Sequence, residues 1–208
     1  MDIRIARIVG RSTVDGPGSR TVLFVQGCHG RCPGCQSPDL HDPMGGAWAD
    51  IYTLARWLIG PGLPITISGG EPFYQAGAVA NLVATIRGLS PEAHIVVYSG
   101  YTFEQLLKRN QYDHRVSDVL YLADVLVDGP YVADLDDDFM QWRGSSNQRA
   151  IDLRKSAWTA TEVMDLVLLD WDSQVLTVTE AGEITGTAGE IGELFGDGSP
   201  TRMCGQVV

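Results

Sequence analysis

No stretch of the 208-residue chain approaches the roughly 18 consecutive apolar residues that cross a bilayer. The amino-terminal run Met1-Asp2-Ile3-Arg4-Ile5-Ala6-Arg7-Ile8 alternates apolar and charged residues where a secretion signal would carry an apolar core. The expectation is a cytoplasmic protein without a membrane partner. Positive charge is scarce, 15 Lys and Arg against 26 Asp and Glu for a net charge of −11. Binding to a nucleic-acid backbone needs a basic surface, so nucleic acid is excluded as the main partner. Aromatic residues make up only 8% of the chain, and the tryptophans at 48, 57, 142, 158 and 171 read as core or cover. There is no carboxylate pair at acid–base spacing, no Ser-His-Asp set and no internal repeat, which turns attention from hydrolytic chemistry to the cysteines. These number four, and in a reducing compartment clustered thiols favour metal over disulfides.

Three of them, Cys28, Cys32 and Cys35, fall within eight residues at C-x3-C-x2-C spacing, directly after the apolar run Thr21-Val22-Leu23-Phe24-Val25. A disulfide would strand one thiol, and a closed structural zinc site takes four ligands. Iron–sulfur clusters take thiolates on their irons, so three cysteines would hold a 4Fe-4S cube by three irons and leave the fourth open. A zinc site or buried structural thiols remain the bland alternatives. His29 reads as a loop residue and Arg31 carries no assigned role. Cys204 reads as an inert thiol, with capping of the fourth iron as the minority alternative.

Composition is otherwise that of an ordinary globular domain, 44% hydrophobic and 20% charged. Apolar alternation predicts strands over Ile3 to Val9, Thr21 to Val25, Ile65 to Ser68, His94 to Tyr98 and Val125 to Asp128. Three- and four-residue spacing of Trp48, Ile51, Leu54, Ala55 and Leu58 predicts one helix. Ala76 to Leu89, Phe103 to Lys108 (opened by a Thr102/Gln105 capping box) and Val116 to Leu122 read as three more. Strands alternating with helices imply a parallel sheet. Such sheets bind ligands at the carboxyl ends of their strands. Gly27-Cys28, Gly69-Gly70, Ser99-Gly100 and Asp128-Gly129 all fall there.

The ordered set formed by Asp15-Gly16-Pro17-Gly18-Ser19-Arg20, the cysteine loop, Ser68-Gly69-Gly70-Glu71-Pro72, Tyr98-Ser99-Gly100-Tyr101, Asp128-Gly129-Pro130-Tyr131 and Arg143-Gly144-Ser145-Ser146-Asn147-Gln148 resembles radical S-adenosylmethionine enzymes. Within that superfamily it is similar to the family that activates anaerobic, class III ribonucleotide reductase. The resemblance runs from residue 1 to about 154. It implies a partial, open (β/α) barrel, a 4Fe-4S cluster on Cys28, Cys32 and Cys35, and S-adenosylmethionine on the open iron. Reductive cleavage to a 5′-deoxyadenosyl radical would follow, with a glycyl radical installed on a reductase subunit and electrons drawn from a flavodoxin or ferredoxin-type donor.

On this resemblance Gly69 and Gly70 bring backbone close to the cofactor, and Glu71 either meets its ammonium or braces the loop. Ser99 and Gly100 would contact its sugar or carboxylate. Asp128 is either a cofactor contact or an acceptor for backbone amides, and no side chain is assigned as a catalytic acid or base. Asp15 to Gly18 and Arg20 would lie near the mouth, where a partner docks. Many superfamily members carry an aromatic residue just before the last cysteine, where this chain has Gly34.

Residues 155–208 form a separate compositional unit, with two basic residues against nine acidic ones. The expected organisation is a 1–154 core and an acidic 155–208 extension. The extension's β-like runs at Leu166 to Leu169, Val175 to Thr179 and Ile184 to Thr187 suggest a small hairpin or meander. It also keeps two rivals open: the same radical chemistry on a small molecule or peptide, and a non-catalytic iron–sulfur or zinc protein.

Overall fold

The computed structural model describes residues 1–137 and 140–171, with two short strand pieces at 177–178 and 184–185. A seven-stranded sheet organises the chain, in the order β3-β1-β2-β4-β5-β6-β7. Its centre is β2 (Arg20–Val25), β4 (Ile65–Gly69), β5 (Ile95–Tyr98) and β6 (Val125–Asp128), all mutually parallel. These strands are rich in Val, Ile and Leu and mostly buried on both faces, as central parallel strands are. β1 (Asp2–Ser12) joins antiparallel to β2, β3 (Ala47–Asp50) antiparallel to β1, and β7 (Arg149–Asp152) antiparallel to β6. The sheet is therefore mixed with a parallel centre. Its outer strands do not pair with one another.

The four helices of the described residues are α1 (Ile51–Ile59), α2 (Ala76–Leu89), α3 (Phe103–Asn110) and α4 (Arg115–Leu122). Their apolar stripes share one core with Leu23, Val25, Ile65, Ile67, Ile95, Val97 and Leu126 from one face of the sheet. Val96, Val125 and Val127 point to the other face, where Ala150, Trp142, Leu169 and Trp171 cover them. The capping box at α3 forms as expected, Thr102 Oγ1 accepting from the Gln105 amide and Gln105 Oε1 from the Thr102 amide.

Two expectations change. Trp48 leaves the predicted helix for β3, because the Asp50 carboxylate accepts the Thr53 amide at 2.9 Å and starts α1 only at Ile51. Trp48 is 64% exposed, with the Arg4 guanidinium above its ring. Arg20 and the loop before it sit at the amino end of β2, opposite the carboxyl-end mouth, since β2 runs from Arg20 toward Val25 alongside β4. There Arg20 is buried, donating to Thr66 Oγ1 and Ile65 O at 2.7 Å each. Burial lowers its pKa to about 10.

Beyond residue 154, β8 (Ala157–Trp158) and β9 (Val163–Asp165) form a hairpin that packs on the same core. Trp158 stacks on Tyr121 at 4.3 Å and meets Phe103 edge-on at 5.4 Å. Leu168 bridges to Ile151 of β7. Thr177–Val178 and Ile184–Thr185 pair antiparallel as β10 and β11, in line with the expected hairpin. The rest of those runs, and Cys204, lie outside the described residues. Among the described residues no helix is long and apolar enough to cross a membrane.

Candidate functional site

The carboxyl ends of β2, β4, β5 and β6 meet as a stitched ring of loops. From β2, Gly27 donates to Leu40 O and Cys28 to His41 O, turning the chain into the cysteine loop and back. Buried Gln26 holds the return leg by donating to Asp39 O and Asp42 O. From β4, the Gly70 amide bonds Val25 O and the Glu71 amide bonds Gly27 O, each at 2.9 Å. A Cβ on Gly69 would lie 2.4 Å from Val25 N, and one on Gly70 2.3 Å from Gly27 O. Only glycine permits these two loops to touch.

Glu71 ties β4 to β5. Its Oε1 accepts the Phe73 amide at 2.9 Å and the Ser99 hydroxyl at 3.1 Å, and its Oε2 accepts the Gly100 amide at 2.8 Å. Burial pushes its pKa up to about 7, against the lowering effect of those same amides. The loops after β5 and β6 are joined by Ser99 N to Val127 O and Gly129 N to Tyr101 O. Arg143 to Gln148 then lies over the β6 loop, with Gln148 Nε2 donating to Gly129 O and Asn147 Nδ2 to Pro130 O, both at 2.8 Å.

The six expected cofactor residues thus share one mouth. Glu71, Ser99 and Gly100 bond one another directly. Asp128, 1% exposed, stands apart from that cluster: it accepts the Phe103 amide and two bonds from Arg149, which also holds Glu104. Arg149 and Gln26 escaped the sequence reading, and Tyr131 stood in a motif without a role. The one available signal was Asp128 itself, a buried carboxylate needing a cation.

The three thiols fit a cluster better than a single ion. Gly30 sits between two of them, a Cβ there lying 3.2 Å from Cys28 Sγ and 3.9 Å from Cys32 Sγ. Burial raises the Cys28 pKa, opposed by the Gly30 amide and reinforced by Glu71 and the other two thiols. Among the described residues no three His, Cys, Asp or Glu side chains converge as one ion's ligands would. An all-sulfur donor set spread around a loop suits an iron–sulfur cube.

A cysteine loop of this spacing, set against a glycine-built loop at the ends of parallel strands, defines a radical S-adenosylmethionine protein. Its cofactors are a 4Fe-4S cluster and S-adenosylmethionine. Residues 14–151 match the family model of the 4Fe-4S single cluster domain. The chain is 33% identical over 165 residues to the anaerobic ribonucleoside-triphosphate reductase-activating protein of Escherichia coli K12, covering 68% of this chain and 93% of that protein. The protein of that name from Enterobacteria phage T4 is 33% identical over 158 residues, covering 73% and 96%. That from Vibrio cholerae is 31% identical over 150 residues, covering 65% and 88%. The chain belongs to the family of anaerobic ribonucleoside-triphosphate reductase-activating proteins.

Proposed function

We propose that this chain installs a glycyl radical on an anaerobic ribonucleotide reductase partner, with Cys28, Cys32 and Cys35 as cluster ligands and electrons drawn from a flavodoxin or ferredoxin-type donor. Bound at the mouth, the cluster and S-adenosylmethionine supply one-electron reductive cleavage of the sulfonium to methionine and a 5′-deoxyadenosyl radical. The chain's own residues bind and orient. Gly69 and Gly70 expose backbone to the cofactor's amino group, while Glu71 fixes their loop against Ser99 and Gly100, which face the rest of the ligand. Asp128 keeps the β6 end in register through Arg149. The sheet acts as the wall of a partial (β/α) barrel. Residues 155–208 add to a 1–154 core, the first of them completing its packing.

The observation carrying this reading is the direct contact of the cysteine loop with the glycine loop, Glu71 N to Gly27 O and Gly70 against Gly27. Anaerobic reconstitution followed by mixing with the reductase subunit, S-adenosylmethionine and a reductant tests it. A glycyl-radical electron paramagnetic resonance doublet with stoichiometric 5′-deoxyadenosine is expected. Cleavage without a protein radical would redirect the function to a different hydrogen donor.

A further inference from the structure

Position 34, between the second and third cysteines, has no side chain, and an aromatic ring borders the space where one would stand. Gly34 adopts φ +75°, a conformation that strains any other residue. A Cβ built there would lie 3.5 Å from Cε1 and 3.9 Å from Oη of Tyr131, the residue that follows Pro130 beyond the end of β6. A second glycine touches the ring from the overlying loop, where a Cβ on Gly144 would lie 3.0 Å from Tyr131 Cδ2. The phenol donates to Asp136 Oδ2 at 3.0 Å. That bond raises the phenol's pKa, with Cys35 contributing as well. An aromatic ring is therefore wedged between two glycines and tied at its hydroxyl, beside the cysteine loop.

The other rings at the mouth are engaged. Tyr74 packs against Gly27 and meets His29 edge-on at 4.4 Å. Tyr101 carries the Arg109 guanidinium 4.6 Å above its face. Among the described residues no ring or cation stacks on Tyr131.

We infer that Tyr131 is the platform on which the adenine of S-adenosylmethionine stacks, an inference that rests on the functional reading above. The ligand's amino-acid half goes to the cysteine and glycine loops of β2 and β4, so its base must extend toward β5 or β6. A flat heteroaromatic base gains most from a ring held with its face uncovered. Two glycines and one hydrogen bond fix this ring without spending its face.

The cluster-loaded protein tests this with two probes, S-adenosylmethionine and L-methionine, each titrated while the reduced cluster's electron paramagnetic resonance spectrum is followed. In Tyr131→Leu the half-saturating concentration of S-adenosylmethionine should rise about tenfold, while that of methionine, which has no base, and the iron content stay as in the parent. Tyr131→Phe should restore nucleotide affinity. Tyr131→Met, an unbranched filler without an aromatic face, should behave as the leucine variant and serves if that one loses iron. Parent-like nucleotide affinity in both non-aromatic variants would overturn the inference. Equal weakening of both probes, or loss of iron in both variants, would do so too, by reducing Tyr131 to a wedge. If S-adenosylmethionine leaves the parent's spectrum unchanged, the functional reading itself falls.

Discussion

Glu71, at the end of β4, reaches across to accept the Gly100 amide beyond the end of β5 at 2.8 Å, and it does so fully buried. The carboxylate thus joins two loops of the cofactor mouth while sitting where charge is costly. Its pKa of about 7, against 4.5 for a free glutamate, means that the folded chain holds a proton which the unfolded chain releases. That contribution to stability is full below about pH 4.5 and is lost as pH rises through about 7, on the order of 3 kcal/mol. Melting of the metal-free protein should therefore decline between pH 5 and 7 by more in the parent than in Glu71→Gln. The amide variant is less stable throughout but lacks this slope. Equal declines in the two proteins would show that Glu71 does not titrate there.

Cys32 lies between the other two thiols in sequence and shares the space around Gly30 with Cys28. With two of three thiolates left, a cube loses one of its three corner ligands. Cys32→Ala should bind less than about a tenth of the parent's iron on anaerobic reconstitution and form no 5′-deoxyadenosine. Full iron occupancy by absorbance and Mössbauer spectroscopy would remove Cys32 from the ligand set.

Much of this site could be read before any fold was known, because the chemistry is local. The cysteines share one loop, Gly69 and Gly70 end one strand, and α2 and β6 span the residues their periodicity predicted. What could not be read depends on distant partners. β7 is four residues, Arg-Ala-Ile-Asp, that become a strand only by pairing with β6. Asp128 reads equally well as a ligand contact until Arg149, 21 residues on, is seen to hold both its oxygens. The closeness of Gly34 and Tyr131 leaves no trace in spacing, since it arises from two loops brought together by the sheet.

Arg149 bonds Asp128 through Nε at 3.0 Å and Nη2 at 2.5 Å, and reaches Glu104 at 3.0 and 3.1 Å. Its own pKa is raised, chiefly by the Asp128 bond. Removing the guanidinium strands a buried carboxylate, which costs about 3 kcal/mol. Arg149→Ala should melt several degrees lower, and Arg149→Lys, which lacks the two-pronged geometry, should recover only part of the loss. A double variant, Arg149→Ala with Asp128→Asn, should be more stable than Arg149→Ala alone because no charge is left unpaired. If instead the two losses simply add, the pair is not coupled.

The described start of the acidic extension is built onto the core. Trp158 stacks on Tyr121 and meets Phe103 edge-on, the Asp152 amide bonds Val167 O, Leu169 N bonds Ala150 O, and Trp171, 3% exposed, meets Trp142 edge-on at 5.6 Å on the far face of the sheet. A chain ending at Trp171 keeps every one of these contacts, so it should still fold and bind iron. A chain ending at Arg154 loses buried Trp171, half-buried Trp158 and the bridge from Leu168 to Ile151. At about 3–5 kcal/mol for each large aromatic removed, that exceeds what a marginally stable domain can lose without partial unfolding. The shorter chain should therefore precipitate or melt well below the parent. Parent-like melting of the Arg154 truncation would show that the extension is dispensable from its first residue, whereas loss of cleavage by the Trp171 truncation would assign residues beyond it to the site.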